Sequence, residues 1–100
     1  TDDMVKVKGV NIFPSQIDEL LSGIDGASSE YQFMIDHLNG KDICTLFVEY
    51  QDGANTAALE YVIGTAFKAK IGIQVIVKLV KIGDLPRSEK KSTRVFDNRY

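Results

Sequence analysis

The chain is expected to form an α+β fold, a small two-layer sandwich. A leading β-hairpin is followed by α-β-β-α-β, with two helices on one face of a mainly antiparallel sheet. Three observations predict this. Stretches at Met4–Lys8, Tyr31–Ile35, Ile43–Tyr50 and Ile73–Val80 alternate in side-chain character, the period of a half-buried strand. Two others, Ile17–Ile24 and Leu59–Lys70, place apolar residues three and four apart, the spacing of a helix with one buried stripe. Between the second and third strands stands Asn39-Gly40, a dipeptide suited to a tight hairpin turn.

In the first strand Val5 and Val7 face one way, and Met4, Lys6 and Lys8 the other. Gly9 then marks either a tight turn or a close approach to another backbone or ligand, before Val10, Asn11 and Ile12 resume extended chain. Pro14 and Ser15 open the first helix, where the missing proline N–H costs nothing. Ser15 with Asp18 fits a capping pair, unless the cap sits one residue earlier. Ile17, Leu20, Leu21 and Ile24 form its buried stripe, and Gly23 or Gly26 ends it. Tyr31, Phe33 and Ile35 share one strand face; Cys44, Leu46, Val48 and Tyr50 share a face of the antiparallel partner.

Asn55 or Thr56 caps the second helix, whose stripe is Leu59, Val62, Ile63, Ala66, Phe67 and the stem of Lys70. Lys68 and Lys70 suit its negative end, and Gly72 stops it. Ile73, Val75, Val77 and Leu79 face one way in the last strand. From Leu85 to Arg99 the chain reads as an exposed basic loop that Pro86 keeps out of a strand ladder.

One hundred residues with 44% hydrophobic and 26% charged side chains make one ordinary globular domain with a small core. No apolar run is long enough for a membrane span, and no signal-peptide pattern opens the chain. Cytoplasm is therefore the expected location. Net charge is −2, but residues 1–60 carry eleven acidic against three basic residues and residues 61–100 three against nine. The basic end suits an anion. Nucleic acid is not expected, because only Phe96 and Tyr100 stand among the tail's basic residues as stacking platforms. His37, the sole histidine, has no cysteine or second histidine nearby to make a metal site. Cys44 reads as a small buried hydrophobe, with a Cys–His pair across the hairpin conceivable but lacking a third orienting group. No phosphate-cradling glycine loop is present, so the chain alone has no visible machinery to bind and cleave ATP.

Two motifs carry a family resemblance. Near the end stands Leu85-Pro86-Arg87-Ser88-Glu89-Lys90-Lys91, with Arg94, Val95 and Asp97 following. At the start stand Thr1-Asp2-Asp3-Met4 and Lys8-Gly9-Val10-Asn11-Ile12-Phe13-Pro14-Ser15-Gln16-Ile17. Both, in this order and spanning nearly the whole chain, resemble the mobile C-terminal domain of the phenylacetate–CoA ligase family of acyl-adenylate-forming enzymes.

The resemblance implies that residues 1–100 are that domain, with a large N-terminal adenylation domain as partner in the same chain. The complete ligase would join an aryl carboxylic acid to CoA through an acyl-adenylate, using ATP with Mg2+. Lys91 matches the lysine that enters the active site for adenylation. A flexible point charge there can bridge the carboxylate and the α-phosphate. Arg87, Lys90 and Arg94 would support it in the basic loop. Lys90 departs from the usual glycine and offers a second candidate cation. Asp2 matches the hinge about which the domain rotates between its two poses, with Asp3 the neighbouring alternative. Lys8 and Gly9 match the loop lining the CoA channel in the thioester-forming pose. Two alternatives are a related adenylyltransferase that caps a deazaflavin cofactor with AMP, and a free-standing α+β ligand-binding or interaction domain.

Overall fold

The computed structural model describes residues 3–86 and 94–99. Strands β1 (Val5–Val7) and β2 (Val10–Ile12) form an antiparallel hairpin, followed by helix α1 (Pro14–Ser22). Strands β3 (Ala27–Leu38) and β4 (Lys41–Tyr50) form a longer hairpin. Helix α2 (Thr56–Lys70) leads to β5 (Ile76–Lys81), and a short β6 (Val95–Asp97) closes the chain.

The main sheet has the order β5-β4-β3-β6. The expected antiparallel pairing holds for the central hairpin, whereas both edges join parallel: β5 to β4 and β6 to β3. Helix α2 supplies the crossover that a parallel β4–β5 pair needs. The sheet is thus mixed. Because β4 and β3 run oppositely, β5 and β6 do too: β5 runs toward the C-terminal end of β4 and β6 away from it, with Val95 level with Val77 through the Phe33–Leu46 pair.

Both helices cover one face. Cross-strand pairs Tyr31–Val48, Phe33–Leu46 and Ile35–Cys44 put six buried side chains toward Ile17, Leu20 and Leu21 of α1 and Leu59, Ile63 and Phe67 of α2. The Phe33 and Phe67 rings meet at 5.7 Å between centroids, tilted by 36°. Val62 lies outside the buried stripe, 46% exposed; Ala66 is half-buried.

The start of α1 differs from the expected Ser15–Asp18 pair. Phe13 is the capping position, Pro14 the first helical residue, and Phe13 N–H donates to Gln16 Oε1 at 2.9 Å. This is the side-chain-to-backbone half of a capping box, supplied three residues after the cap. At α2 Asn55 is the cap, and its Oδ1 accepts from Ala58 N–H at 3.1 Å. Asn55→Ala removes that acceptor and should destabilise the domain by about 1 kcal/mol, read as a lower urea midpoint at unchanged slope.

The tail is the main correction. Only three residues of β6 pair with β3, from Phe33–Val95 to Ile35–Asp97, yet they turn the last stretch of an expected loop into an edge strand. Leu85 is buried, and Arg94 and Arg99 are largely covered by their partners.

Candidate functional site

The two hairpins turn in the same way. Lys8 and Gly9 have φ of 51° and 79°, and Asn39 and Gly40 have 53° and 78°. Two successive positive φ values define the turn whose twist matches paired strands. The sequence marks the second hairpin by Asn39-Gly40. In the first, Lys8 adopts the left-handed region without the local help asparagine gives. Lys8 and Gly9 are both exposed at the hairpin tip. A Cβ added at Gly9 would meet no atom within 4 Å, so only the backbone requires glycine there. Lys8, Lys41, Gln74 and Ile76 line a groove of ≈ 680 Å³ at the β3–β4 turn end of the sheet.

One guanidinium fixes this hairpin to the sheet. Arg99 Nε and Nη2 grip the two oxygens of Asp97, each at 2.8 Å. Its Nη1 reaches Asp42 Oδ2 at 3.0 Å, and Nη2 also donates to the Lys6 carbonyl at 3.0 Å. One planar donor set thus joins β1, β4 and the residues after β6, a role that the fork of arginine suits and a lysine cannot copy. The Arg99 side chain is only 10% exposed. The other Asp42 oxygen accepts from His37 Nδ1 at 2.8 Å. His37 is therefore held by Asp42, its cross-strand partner, and not by a thiolate. Burial pushes the Cys44 thiol up, the wrong direction for a nucleophile.

The Asp42 carboxyl is held below its usual value chiefly by the His37 hydrogen bond, with Arg99 adding to it against the opposing effect of burial. The Asp97 carboxyl is lowered chiefly by its hydrogen bonds with Arg99. A depressed folded-state value stabilises the fold above the ordinary carboxylate pKa of 3.8, and that stabilisation is lost as pH falls through the lowered values. The melting temperature should fall below about pH 4. Arg99→Met should lower it near neutrality, and the gap between the two proteins should narrow toward pH 2. Circular-dichroism melts across that range check this; a gap that stays constant would mean that the carboxylates contribute nothing.

Arg94 anchors the opposite end. Its guanidinium donates to the Ser29 carbonyl and to Glu30 Oε2, the latter at 3.3 Å, and lies 5.1 Å from the centre of the Tyr31 ring. Tyr31 Oη in turn donates to the Pro14 carbonyl at 3.2 Å. Arg94 is thus tied to the start of β3, where the sequence places it in an open basic loop. Asp2, Arg87, Lys90 and Lys91 lie outside the described residues. Asp3 is exposed ahead of β1.

Sequence reasoning passed over Glu49 and Arg99. Glu49 has no exposed surface. Its Oε1 accepts from Gly83 N–H and its Oε2 from Leu85 N–H, both at 3.1 Å. Nothing local marks it, since an acidic residue at an alternating strand position ordinarily reads as solvent-facing. Arg99 stands in the sequence as one of several tail cations, without its partners.

The described candidates, Lys8, Gly9 and Arg94, therefore fall toward two ends of one sheet. Lys8 and Gly9 stand near the β3–β4 turn. The flanks of the Lys91 segment, Leu85 and Arg94, are held near the C-terminal end of β4 and the N-terminal end of β3. No group of three or more His, Cys, Asp or Glu side chains that could hold a metal occurs among the described residues. No helix among them is long and apolar enough to cross a membrane.

Residues 9–99 match the model of the AMP-binding enzyme C-terminal domain. Phenylacetate-coenzyme A ligase of Escherichia coli (strain K12) is 33% identical over 105 residues, covering 99% of this chain and 24% of that protein. The chain thus spans about a quarter of the length of the curated relatives it matches. A crystal structure of a domain of phenylacetate-coenzyme A ligase from Bacteroides vulgatus ATCC 8482 superposes with a TM-score of 0.88 at 35% identity, covering 99% of this chain and 95% of that one. 2-Hydroxyisobutyryl-CoA ligase, in complex with 2-HIB-AMP and CoA in the thioesterification state, gives 0.88 at 28% identity, covering 98% of this chain and 22% of that one. The chain belongs to the AMP-binding enzyme C-terminal domain family, as a C-terminal domain of the phenylacetate-coenzyme A ligase type.

Proposed function

We propose that the chain is the mobile C-terminal domain of a cytoplasmic ligase that converts an aryl carboxylic acid of the phenylacetate kind, ATP and CoA to acyl-CoA, AMP and pyrophosphate. An N-terminal adenylation domain of the same polypeptide would hold ATP with its Mg2+ and the acid. In the first step the acid's carboxylate attacks the α-phosphate and pyrophosphate leaves. Lys91, aided by Arg87 and Lys90, would stabilise the charge that accumulates, with Arg94, paired with Glu30, supporting the loop by anchoring its far end. In the second step the CoA thiol attacks the acyl carbon and AMP leaves, with Lys8 and Gly9 lining its approach. Asp2 would be the hinge between the poses.

What supports this reading is that Lys8 and Gly9 stand near one end of the sheet, whereas Leu85 and Arg94, the residues that flank the Lys91 segment in sequence, are held toward the other. A rigid body can present one end and then the other to a single active site by rotating, and each presentation completes a different step. Full-length enzyme given phenylacetate, ATP and CoA should release AMP and form phenylacetyl-CoA. Acyl-adenylate formation without any thioester, with any of a panel of aryl acids, would overturn the ligase reading in favour of an adenylyltransferase.

A further inference from the structure

Glu49 lies on β4, on the sheet face opposite the helices. It is fully buried, the only charged residue so placed among the described residues. A carboxylate removed from water must be compensated by strong partners. Two of its partners are alternate amides of one turn, Gly83 N–H on Oε1 and Leu85 N–H on Oε2. That turn is closed on itself as well: Asp84 N–H donates to the Lys81 carbonyl at 3.0 Å, and Asp84 Oδ2 accepts from Lys81 N–H at 3.3 Å. Leu85 is buried beside it. Cohesion alone does not call for a buried charge, since well-packed apolar residues hold buried positions as firmly. What the carboxylate adds is direction, because two oxygens on two amides set both the height and the rotation of the turn.

The chain leaves this clamp at Pro86, and Lys91 follows six residues after Leu85. Three residues beyond Lys91 comes the second fixed point, Arg94, whose carbonyl accepts from Phe33 N–H at 2.7 Å while its side chain is held at the start of β3. In sequence, the segment bearing Lys91 therefore lies between two residues fixed to the sheet, Leu85 and Arg94, and Glu49 makes the first of these anchors. We propose that Glu49 is a positioning residue for adenylation, setting where the Lys91 segment departs from the sheet. This rests on the assignment of Lys91 to the adenylation step. Glu49 touches no substrate in this role and acts only through the backbone of residues 83–85.

The test uses the full-length ligase. Glu49→Gln keeps the size of the side chain but sets an NH2 against one of the two amides. Acyl-adenylate formation should slow about tenfold, less than the loss that a 1 Å displacement of a reacting group can cause. The KM values for ATP and acid should hold within about twofold, and thioester formation from supplied acyl-adenylate should be unchanged. Amide hydrogen exchange at Gly83 and Leu85 should accelerate. Equal loss in both half-reactions, or no loss in either, overturns the proposal. If Glu49→Gln does not fold, one glycine inserted between Pro86 and Arg87 displaces the departure point with the clamp intact. It should give the same selective loss, and wild-type adenylation from it overturns the proposal. Lys91→Ala is assayed alongside. Normal adenylation by that variant overturns the assignment of Lys91 and this inference with it, whereas a depressed Lys91→Ala beside an unaffected Glu49→Gln overturns this inference alone.

Discussion

Lys91→Ala in the full-length ligase should slow acyl-adenylate formation by about two to three powers of ten, the usual cost of removing one group that stabilises transition-state charge. Thioester formation from supplied acyl-adenylate should be nearly spared, because in the proposed mechanism rotation into the second pose would take the tail out of the active site. Charge alone does not choose Lys91 over Lys90, since both belong to one basic stretch. The family resemblance chooses: the spacing of Lys91, six residues after Leu85 and three before Arg94, matches the position of the family's lysine. Lys90→Ala should therefore have a small effect. Pre-steady-state measurement of acyl-adenylate formation and consumption separates the cases. Loss of adenylation with Lys90→Ala but not Lys91→Ala would move the assignment by one residue. An unimpaired pair would make the tail a solvated surface.

Local periodicity disclosed most of the elements, because the helix stripes and alternating strands bury side chains on one face whatever lies opposite. Phe33, Leu46, Ile63 and Phe67 are core residues for that reason. Neighbour relations were less legible. Nothing in Ile76–Lys81 or Val95–Asp97 says that the ladder beside it is parallel. Three residues flanked by charge are also too few to register as a strand. Glu49 and Arg99 were hidden for a related reason. Their partners are distant in sequence, 34 and 36 residues away for Glu49 and 57 residues, at Asp42, for Arg99. The motifs located Lys8, Gly9 and Lys91 without showing what holds them in place. The described structure adds what fixes the first hairpin, the Arg99 fork, and what fixes the residues on either side of the Lys91 segment, the Glu49 clamp and the Arg94 contacts.

Gly9→Ala should do the reverse of Lys91→Ala, sparing adenylation and slowing the thioester step. Within the domain the new methyl meets nothing within 4 Å, so its only internal penalty is the positive φ of 79°, about 1–2 kcal/mol for a residue with a Cβ. If the hairpin tip lines the path of the CoA thiol, the same methyl intrudes where the nucleophile must align, and a displacement near 1 Å can cost about a hundredfold in rate. Gly53 provides the matched control. It has φ of 85° and equally open surroundings, but lies on the β4–α2 connection, away from the hairpin. Gly53→Ala should lower the urea midpoint by a similar amount and leave thioester formation at its original rate. Single-turnover transfer from supplied acyl-adenylate to CoA compares the two. If both variants slow transfer equally, Gly9 shapes only a turn, and the loss reflects general destabilisation. If Gly9→Ala alone slows it, the hairpin tip stands in the path of the thiol.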